Sequence, residues 1–322
     1  MSGGHTSQFQ SLSDRSSTFL EVARRELWLD DIDNPPPVSE LPAVEAECVV
    51  VADPGQLTEA EREALARAFR SRFAMAAFEC FNTQAEGDHH PLVRLGASLY
   101  PLLPTKWPIA SSPERRSVVT EIRDIGVAGQ SSRSFTSEAM AAHQDGWLSL
   151  RDEDRGALAV TSLWADSVPE ESASTFAQNI VLLALDLRRR DEAAFVSLFA
   201  DDSVRIVDRA GETAARSPVL FLKRGVLHTF YRGANDEYDV HPGNNEPAAA
   251  RAIEFLNAHT GFGASGSVYT RLDRAGRGLF LNNRYCVHGR TAFRDGHTPQ
   301  SKRVIASKWW ASHDEDRDLS WE

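Results

Sequence analysis

Apolar positions along the chain switch period repeatedly, and each switch predicts an element. A helical spacing over about Ser17–Leu29 gives way to Asn34-Pro35-Pro36-Pro37, a stiff extended break. Cys48-Val49-Val50-Val51 is a β-branched run and predicts a strand. Thr58-x-x-Glu61 has the form of a capping box, and Leu65, Phe69 and Phe73 recur at helical spacing behind it, so about 58–73 is expected to be an amphipathic helix. Val118–Ile125 is a strand candidate within otherwise polar sequence. Strand patterns then dominate: Ala157–Trp164, Val204–Val207, Val219–Leu222, Ser267–Leu272, Gly278–Leu281 and Val304–Trp309. Two helices are expected among them, Phe176–Arg190 with Ile180, Leu183 and Leu187 on one face, and Glu246–Asn257. No internal repeat and no long linker stands out. Strands do not alternate regularly with helices, which argues against a doubly wound parallel sheet. The fold class that fits is mainly β with helices (α+β), a β-sandwich or jelly roll.

Composition narrows the partners more than the fold. Among 322 residues, 42% hydrophobic and 25% charged, Asp plus Glu number 46 against 35 Lys plus Arg, a formal net charge of −11. That balance speaks against a nucleic-acid polymer as partner, which a basic stripe would announce. No apolar run is long enough to span a bilayer, and the polar start MSGGHTSQFQSLSDR has no signal-peptide core. Cys48, Cys80 and Cys286 are widely spaced, without the CxxC pattern of a zinc site or a disulfide framework. The expectation is a cytoplasmic protein with a small-molecule substrate and no membrane partner; oligomeric state is not legible.

The candidate chemistry begins at His143-Gln144-Asp145. Residues two apart in extended chain share a face, so an imidazole and a carboxylate there can reach one metal ion. The triplet alone says little, because with 10 His and 46 acidic residues about one or two are expected by chance, and His313-Asp314-Glu315 is another. What separates them is the sequence downstream. After the apolar run Gly278–Leu281 comes Asn282-Asn283-Arg284-Tyr285-Cys286-Val287-His288-Gly289-Arg290-Thr291-Ala292-Phe293. His288 can complete a two-histidine, one-carboxylate facial triad, which leaves positions open on the metal. His313 stands in a charged tail and reads as a solvated surface residue. Arg303 opens the strand Arg303-Val304-Ile305-Ala306-Ser307-Lys308-Trp309, where a buried guanidinium can hold a carboxylate bidentately. Thr175, placed just before the helix expected from Phe176, can add a hydroxyl to that carboxylate or serve as a helix cap.

These segments together, HQDGW, STF, NNRYCVHGRTAF and RVIASKW, resemble the non-heme iron, 2-oxoglutarate-dependent oxygenases. Within them the sequence is most similar to the clavaminate synthase and amino-acid β-hydroxylase branch of the taurine dioxygenase superfamily. The resemblance covers about residues 115–310, and HGRxxF is its most specific part. It implies a double-stranded β-helix (jelly roll) core over that range. An N-terminal helix and strand extension over about 1–110 and a short charged tail over 311–322 would complete a single oxygenase domain, 1–322. It also implies Fe(II) held by His143, Asp145 and His288, with Arg303 and Thr175 on the distal carboxylate of 2-oxoglutarate, and O2 as the second co-substrate. The implied reaction hydroxylates an unactivated C–H bond and releases succinate and CO2. A carboxylate at 145 favours hydroxylation over halogenation, and desaturation shares the same ligands. An amino acid or amino-acid derivative in natural-product biosynthesis is the leading substrate class; a nucleoside, nucleotide or carrier-tethered substrate is the alternative. A non-catalytic jelly-roll sensor is a second, and a metal-dependent hydrolase gives Arg303 no role.

Two departures bear on those expectations. Where many relatives carry a second arginine four residues past the first, this chain has Ser307, and Lys308 should face the other way. The glycine pair that often precedes the threonine is replaced by Glu171-Ser172-Ala173-Ser174, which makes Ser172 and Ser174 rivals of Thr175. Weaker substrate-facing candidates are Trp147, Asp236 and Asp239, the last two in an acidic segment that reads equally as a solvated loop. Asn283 and Arg290 are expected to fix the turn around His288. Cys286 would share its face and be open to oxidation. His89-His90 reads as surface or lid.

Overall fold

The computed structural model describes residues 11–27, 37–81, 90–99, 105–109, 119–124, 135–146, 158–235 and 237–312. In chain order the first elements are α1 (Leu12–Glu26), β1 (Val44–Glu45), β2 (Cys48–Val51), α2 (Glu59–Arg70), β3 (Met75–Cys80), α3 (Pro91–Leu99), β4 (Thr105–Ile109), β5 (Thr120–Arg123) and β6 (Met140–His143). Then come β7 (Leu158–Ser167), β8 (Ser174–Asn179), α4 (Ile180–Arg190), α5 (Glu192–Ser197), β9 (Val204–Asp208), β10 (Thr213–Ser217), β11 (Leu220–Lys223) and β12 (Val226–Thr229). The last are β13 (Tyr238–Pro242), α6 (Pro247–Ala258), β14 (Val268–Arg271), β15 (Arg277–Asn282), β16 (Cys286–Arg290) and β17 (Val304–Ser312). The architecture is mixed α+β. No helix among the described residues is long and apolar enough to cross a membrane.

Two sheets position everything that follows. One has five strands in the order β1-β14-β8-β16-β6, the other runs β2-β3-β15-β7-β17-β4 with β5 also paired to β17. Pairing is antiparallel except at β1–β14 and β2–β3. Period-2 alternation sorts the side chains of the larger sheet. Phe78, Trp164, Phe280, Ala306 and Trp310 pack with Leu65 and Phe69 of α2 and Leu92 and Leu95 of α3. Leu163, Ala165, Leu279, Leu281 and Ile305 face the other way, into a cluster shared with Phe176, Ala177 and Val287 of the five-stranded sheet. Both faces of the larger sheet are therefore buried. The turn Asn282–Tyr285 carries the chain from β15 in one sheet to β16 in the other.

Several expected elements keep their bounds, and the differences have local causes. Cys48–Val51 is a strand, and Thr58 and Glu61 close the capping box of α2. Helix α1 starts earlier than its apolar spacing suggested, because Ser11 and Asp14 form a capping box of their own. The helix expected from Phe176 begins only at Ile180. Asn179 accepts from the N–H groups of Val181 and Leu182 and so starts α4, while Ser174–Asn179 before it is a strand buried on both faces. Thr175 is accordingly a mid-strand residue rather than a helix cap. The charged tail with His313 lies outside the described residues.

Candidate metal centre

The site forms where the two sheets meet. His143 ends β6 and His288 lies mid-β16, and the antiparallel register sets the two residues opposite each other. Their rings stand with centroids 4.6 Å apart. Gly289 makes this approach feasible: a Cβ there would lie 2.5 Å from the Met140 carbonyl oxygen and 2.7 Å from the Phe176 ring. After His143 the chain turns sharply through Asp145, with Gly146 at φ 78°. The turn returns the carboxylate toward both rings. Asp145 Oδ1 is 3.6 Å from His143 Nε2 and 3.8 Å from His288 Nε2. One ligand atom from each of the three residues lies within 4.8 Å of the others.

A buried web fixes this turn. Asn283 Oδ1 accepts from the Asp145 N–H at 2.9 Å, and Asn283 Nδ2 donates to the carbonyls of Asp145 and Leu158. Gln144 donates to the Asn283 carbonyl at 2.7 Å and accepts from the Tyr231 N–H at 2.9 Å. The second carboxylate oxygen of Asp145 accepts from Thr161 Oγ1 at 2.6 Å and from Trp309 Nε1 at 2.9 Å. Asp145 thus meets the histidines of one sheet through Oδ1 and two donors of the other sheet through Oδ2.

Protonation states suit metal binding. Burial alone would raise the Asp145 carboxyl, but the neighbouring His288 and His143 and the hydrogen bond from Thr161 outweigh it and hold the group well below the usual carboxylate range. Burial pushes the His288 imidazole down to about 4, with Asp145 opposing and His143 assisting, so the ring is neutral at pH 7. His143 Nδ1 lies 2.9 Å from the Ala141 carbonyl, which can only accept, so Nδ1 donates there and Nε2 is the ring nitrogen turned toward Asp145. Two imidazoles and a carboxylate make a facial donor set. Ligands at about 2.1 Å and right angles stand about 3 Å apart. The observed 3.6 and 3.8 Å, in a set that spans no more than 4.8 Å, therefore need a closure of under about 2 Å, within the reach of side-chain rotations.

A cationic end flanks this centre. Thr175 on β8 pairs in register with Arg290, on the same face as His288. Arg290 is occupied structurally, donating to the carbonyls of Thr136, Glu138 and Thr291. Arg303 is 7% exposed, its guanidinium lies 4.8 Å from the Phe293 ring centroid, and its Nη1 is buried with no hydrogen-bond partner among the described residues. Burial, then the nearby Arg290, push Arg303 down to about 9 against the pull of Asp295. Such a group is suited to an incoming carboxylate. Ser307 shares the face of Trp309 and Lys308 the face of Trp310, as the period of two requires.

No protein-family model matches the sequence, and no curated protein does. Solved structures do match. The non-heme iron oxygenase OrfP in complex with Fe, succinate and (3S)-hydroxy-L-Arg aligns at TM-score 0.56 and 17% identity, over 94% of this chain and 92% of that one. OrfP in complex with Fe and alpha-ketoglutaric acid gives 0.54 and 15%, over 94% and 91%. An asparagine oxygenase in complex with Fe(II), 2S,3S-3-hydroxyasparagine and succinate gives 0.52 and 15%, over 91% of each chain. The chain has the fold of these iron oxygenases. At such identities the likeness concerns the fold alone, and the site rests on its own geometry.

The structure brings His143, Asp145 and His288 together and sets Thr175 on the same face as His288. The weaker candidates fare differently. Asp239 is exposed, because β13 turns Val240 inward and Asp239 outward. Trp147 and Asp236 lie outside the described residues. His90 is engaged with Asp166 at 3.2 Å, and Cys286 is a core residue whose burial raises the thiol, contrary to a group open to oxidation. Sequence reading missed Arg232. It pairs with His143 in an isolated antiparallel bridge, is 5% exposed, and lies 4.3 Å from the Tyr238 ring centroid. Burial lowers it to about 10, against Tyr238 and Glu237. Only the register against β6 marks this arginine among the others.

Proposed function

We propose that this chain is an Fe(II)- and 2-oxoglutarate-dependent oxygenase that hydroxylates a small amino acid or amino-acid derivative. One observation carries the reading. Three donors of the right type, from places up to 145 residues apart in the chain, converge with one ligand atom of each within 4.8 Å of the others. The orphaned Nη1 of Arg303 supports an anionic co-substrate beside them. The fold shared with iron oxygenases, whose structures carry succinate, alpha-ketoglutaric acid and hydroxylated amino acids, supports the reaction class. In this reading the two sheets are the halves of a double-stranded β-helix within a single domain, and β2 and β3 of the N-terminal region extend the larger sheet beyond β15.

His143, Asp145 and His288 would hold the metal. When bound, it would supply the redox chemistry that couples decarboxylation of 2-oxoglutarate to succinate with insertion of oxygen into a C–H bond. The protein's part is positioning. Arg303 holds the distal carboxylate of 2-oxoglutarate, with the Thr175 hydroxyl beside it. Arg232, next to His143, provides a cation for an acid group of the substrate, at a site where Ser307 provides none. The apolar wall of Leu163, Ala165, Leu279 and Ile305 excludes water behind them.

The test is direct. Iron-loaded protein, with 2-oxoglutarate and a panel of amino acids and their derivatives, should form succinate and a product heavier by one oxygen. Lack of Fe(II) binding in protein prepared without oxygen would refute the reading.

A further inference from the structure

The two hydrogen bonds on Asp145 Oδ2 have a consequence for the metal that the three ligands do not determine. An ionised carboxylate can bind a cation through one oxygen or through both. Here the oxygens are treated unequally. Oδ1 faces both imidazoles at 3.6 and 3.8 Å. Oδ2 is 2.6 Å from the Thr161 hydroxyl and 2.9 Å from the Trp309 indole nitrogen, two donors that fill its lone pairs. Thr161 and Trp309 are register partners on β7 and β17, so they form one rung of the seven-stranded sheet. Their spacing is set by the ladder rather than by loose side chains. Asn283 holds the Asp145 backbone from both sides and so fixes where the side chain starts, while the two donors on Oδ2 fix the plane of the carboxylate.

We infer that Thr161 and Trp309 are positioning residues that confine Asp145 to one-oxygen ligation, an inference that rests on the iron-centre reading above. Three single-atom ligands leave three of six positions open, enough for a two-point keto-acid ligand and one further small molecule. A two-oxygen carboxylate takes one of those positions. The rung therefore sets how many positions the protein leaves free, and neither residue touches the metal or the co-substrate.

Cobalt(II) provides a probe, since its visible absorption reports coordination number without any turnover. Co(II) is titrated into metal-free protein without oxygen, then 2-oxoglutarate into the Co(II)-loaded protein. Compared are the wild type, Thr161→Val, Trp309→Phe, the double variant, and Thr161→Ser as the variant that keeps a hydroxyl. In the wild type a weak six-coordinate spectrum is expected. In Thr161→Val and Trp309→Phe the spectrum should change and 2-oxoglutarate affinity should fall about 10- to 100-fold, further in the double variant, while Thr161→Ser behaves as wild type. The single variants keep the test usable where the double variant does not fold. Spectra and 2-oxoglutarate affinities equal to wild type in both single variants would overturn the inference and leave the iron reading intact. A wild type that binds no Co(II) would overturn the iron reading and this inference with it.

Discussion

Replacing Arg303 by Met should have two effects of opposite sign. The guanidinium is 7% exposed, its Nη1 has no partner among the described residues, and the group is pushed down to about 9 from 12.5. At about 1.4 kcal/mol per unit this corresponds to an upper bound of about 5 kcal/mol held against the ligand-free fold. Met keeps most of the apolar stem, so the packing loss stays under about 1.5 kcal/mol. The ligand-free variant should therefore be more stable than wild type by about 1–3 kcal/mol, or about 2–6 °C in melting temperature for a chain of this size. Binding moves the other way. Losing one partner of a desolvated charge pair costs about 2–5 kcal/mol, or about 30- to several-thousand-fold in affinity for 2-oxoglutarate. The assay is thermal unfolding without oxygen, with Fe(II), at zero and at saturating 2-oxoglutarate. Wild type should gain about 2.7 kcal/mol at a hundred times its Kd, and the variant almost nothing at that concentration. A variant that starts lower than wild type yet shows an undiminished 2-oxoglutarate shift would refute the assignment of Arg303.

Other perturbations separate the remaining parts of the site. His288→Ala should abolish Fe(II) binding, measured by anaerobic titration, while far-ultraviolet circular dichroism stays that of wild type. Arg232→Met should raise KM for a carboxylate-bearing substrate by about 10-fold or more with a smaller change in kcat; an unchanged KM would exclude Arg232 from substrate binding. Asn283→Ala removes three hydrogen bonds to the Asp145 turn and Leu158, and denaturant unfolding should register a loss of about 2–3 kcal/mol. The His288 imidazole charges near 6.5 when unfolded but only at about 4 when folded. The unfolded state therefore binds the extra proton between those values, and metal-free protein should lose about 3 kcal/mol of stability as pH falls through that window. His288→Gln should flatten that part of the pH–stability curve.

How much of this was legible in the sequence depended on whether the signal was local. Cys48–Val51 and the Thr58–Glu61 box are decided by neighbours in the chain, and both elements stand where the pattern put them. Ser174–Asn179 failed because its apolar positions continue the spacing of the helix behind it, and only the Asn179 side chain marks the boundary. β3, Met-Ala-Ala-Phe-Glu-Cys, offers little β-branching, and burial between β2 and β15 makes it a strand. The convergence of His143, Asp145 and His288 was legible because an HxD triplet and an HGR segment each carry local form. Arg232, Thr161 and Trp309 carry none. Their relevance comes from register, across an isolated bridge to His143 in one case and along the β7–β17 ladder in the other.

The same reasoning explains why Asp145, rather than either histidine, is the exacting position of the site. The histidines are placed by one sheet, through one pairing between β6 and β16. Asp145 is placed by both: its backbone by Asn283, in the turn that joins the sheets, and its outer oxygen by a rung of the larger sheet. Any change in the separation of the sheets acts first on the distance between Oδ1 and the two imidazole nitrogens. A core substitution at the junction, such as Leu163→Ala, leaves every ligand in place yet should loosen that distance. It should therefore weaken Fe(II) binding in addition to the roughly 2–5 kcal/mol of stability lost to the cavity. Equal Fe(II) affinity in a destabilised Leu163→Ala protein would show that the Asp145 web alone, independent of sheet spacing, fixes the centre.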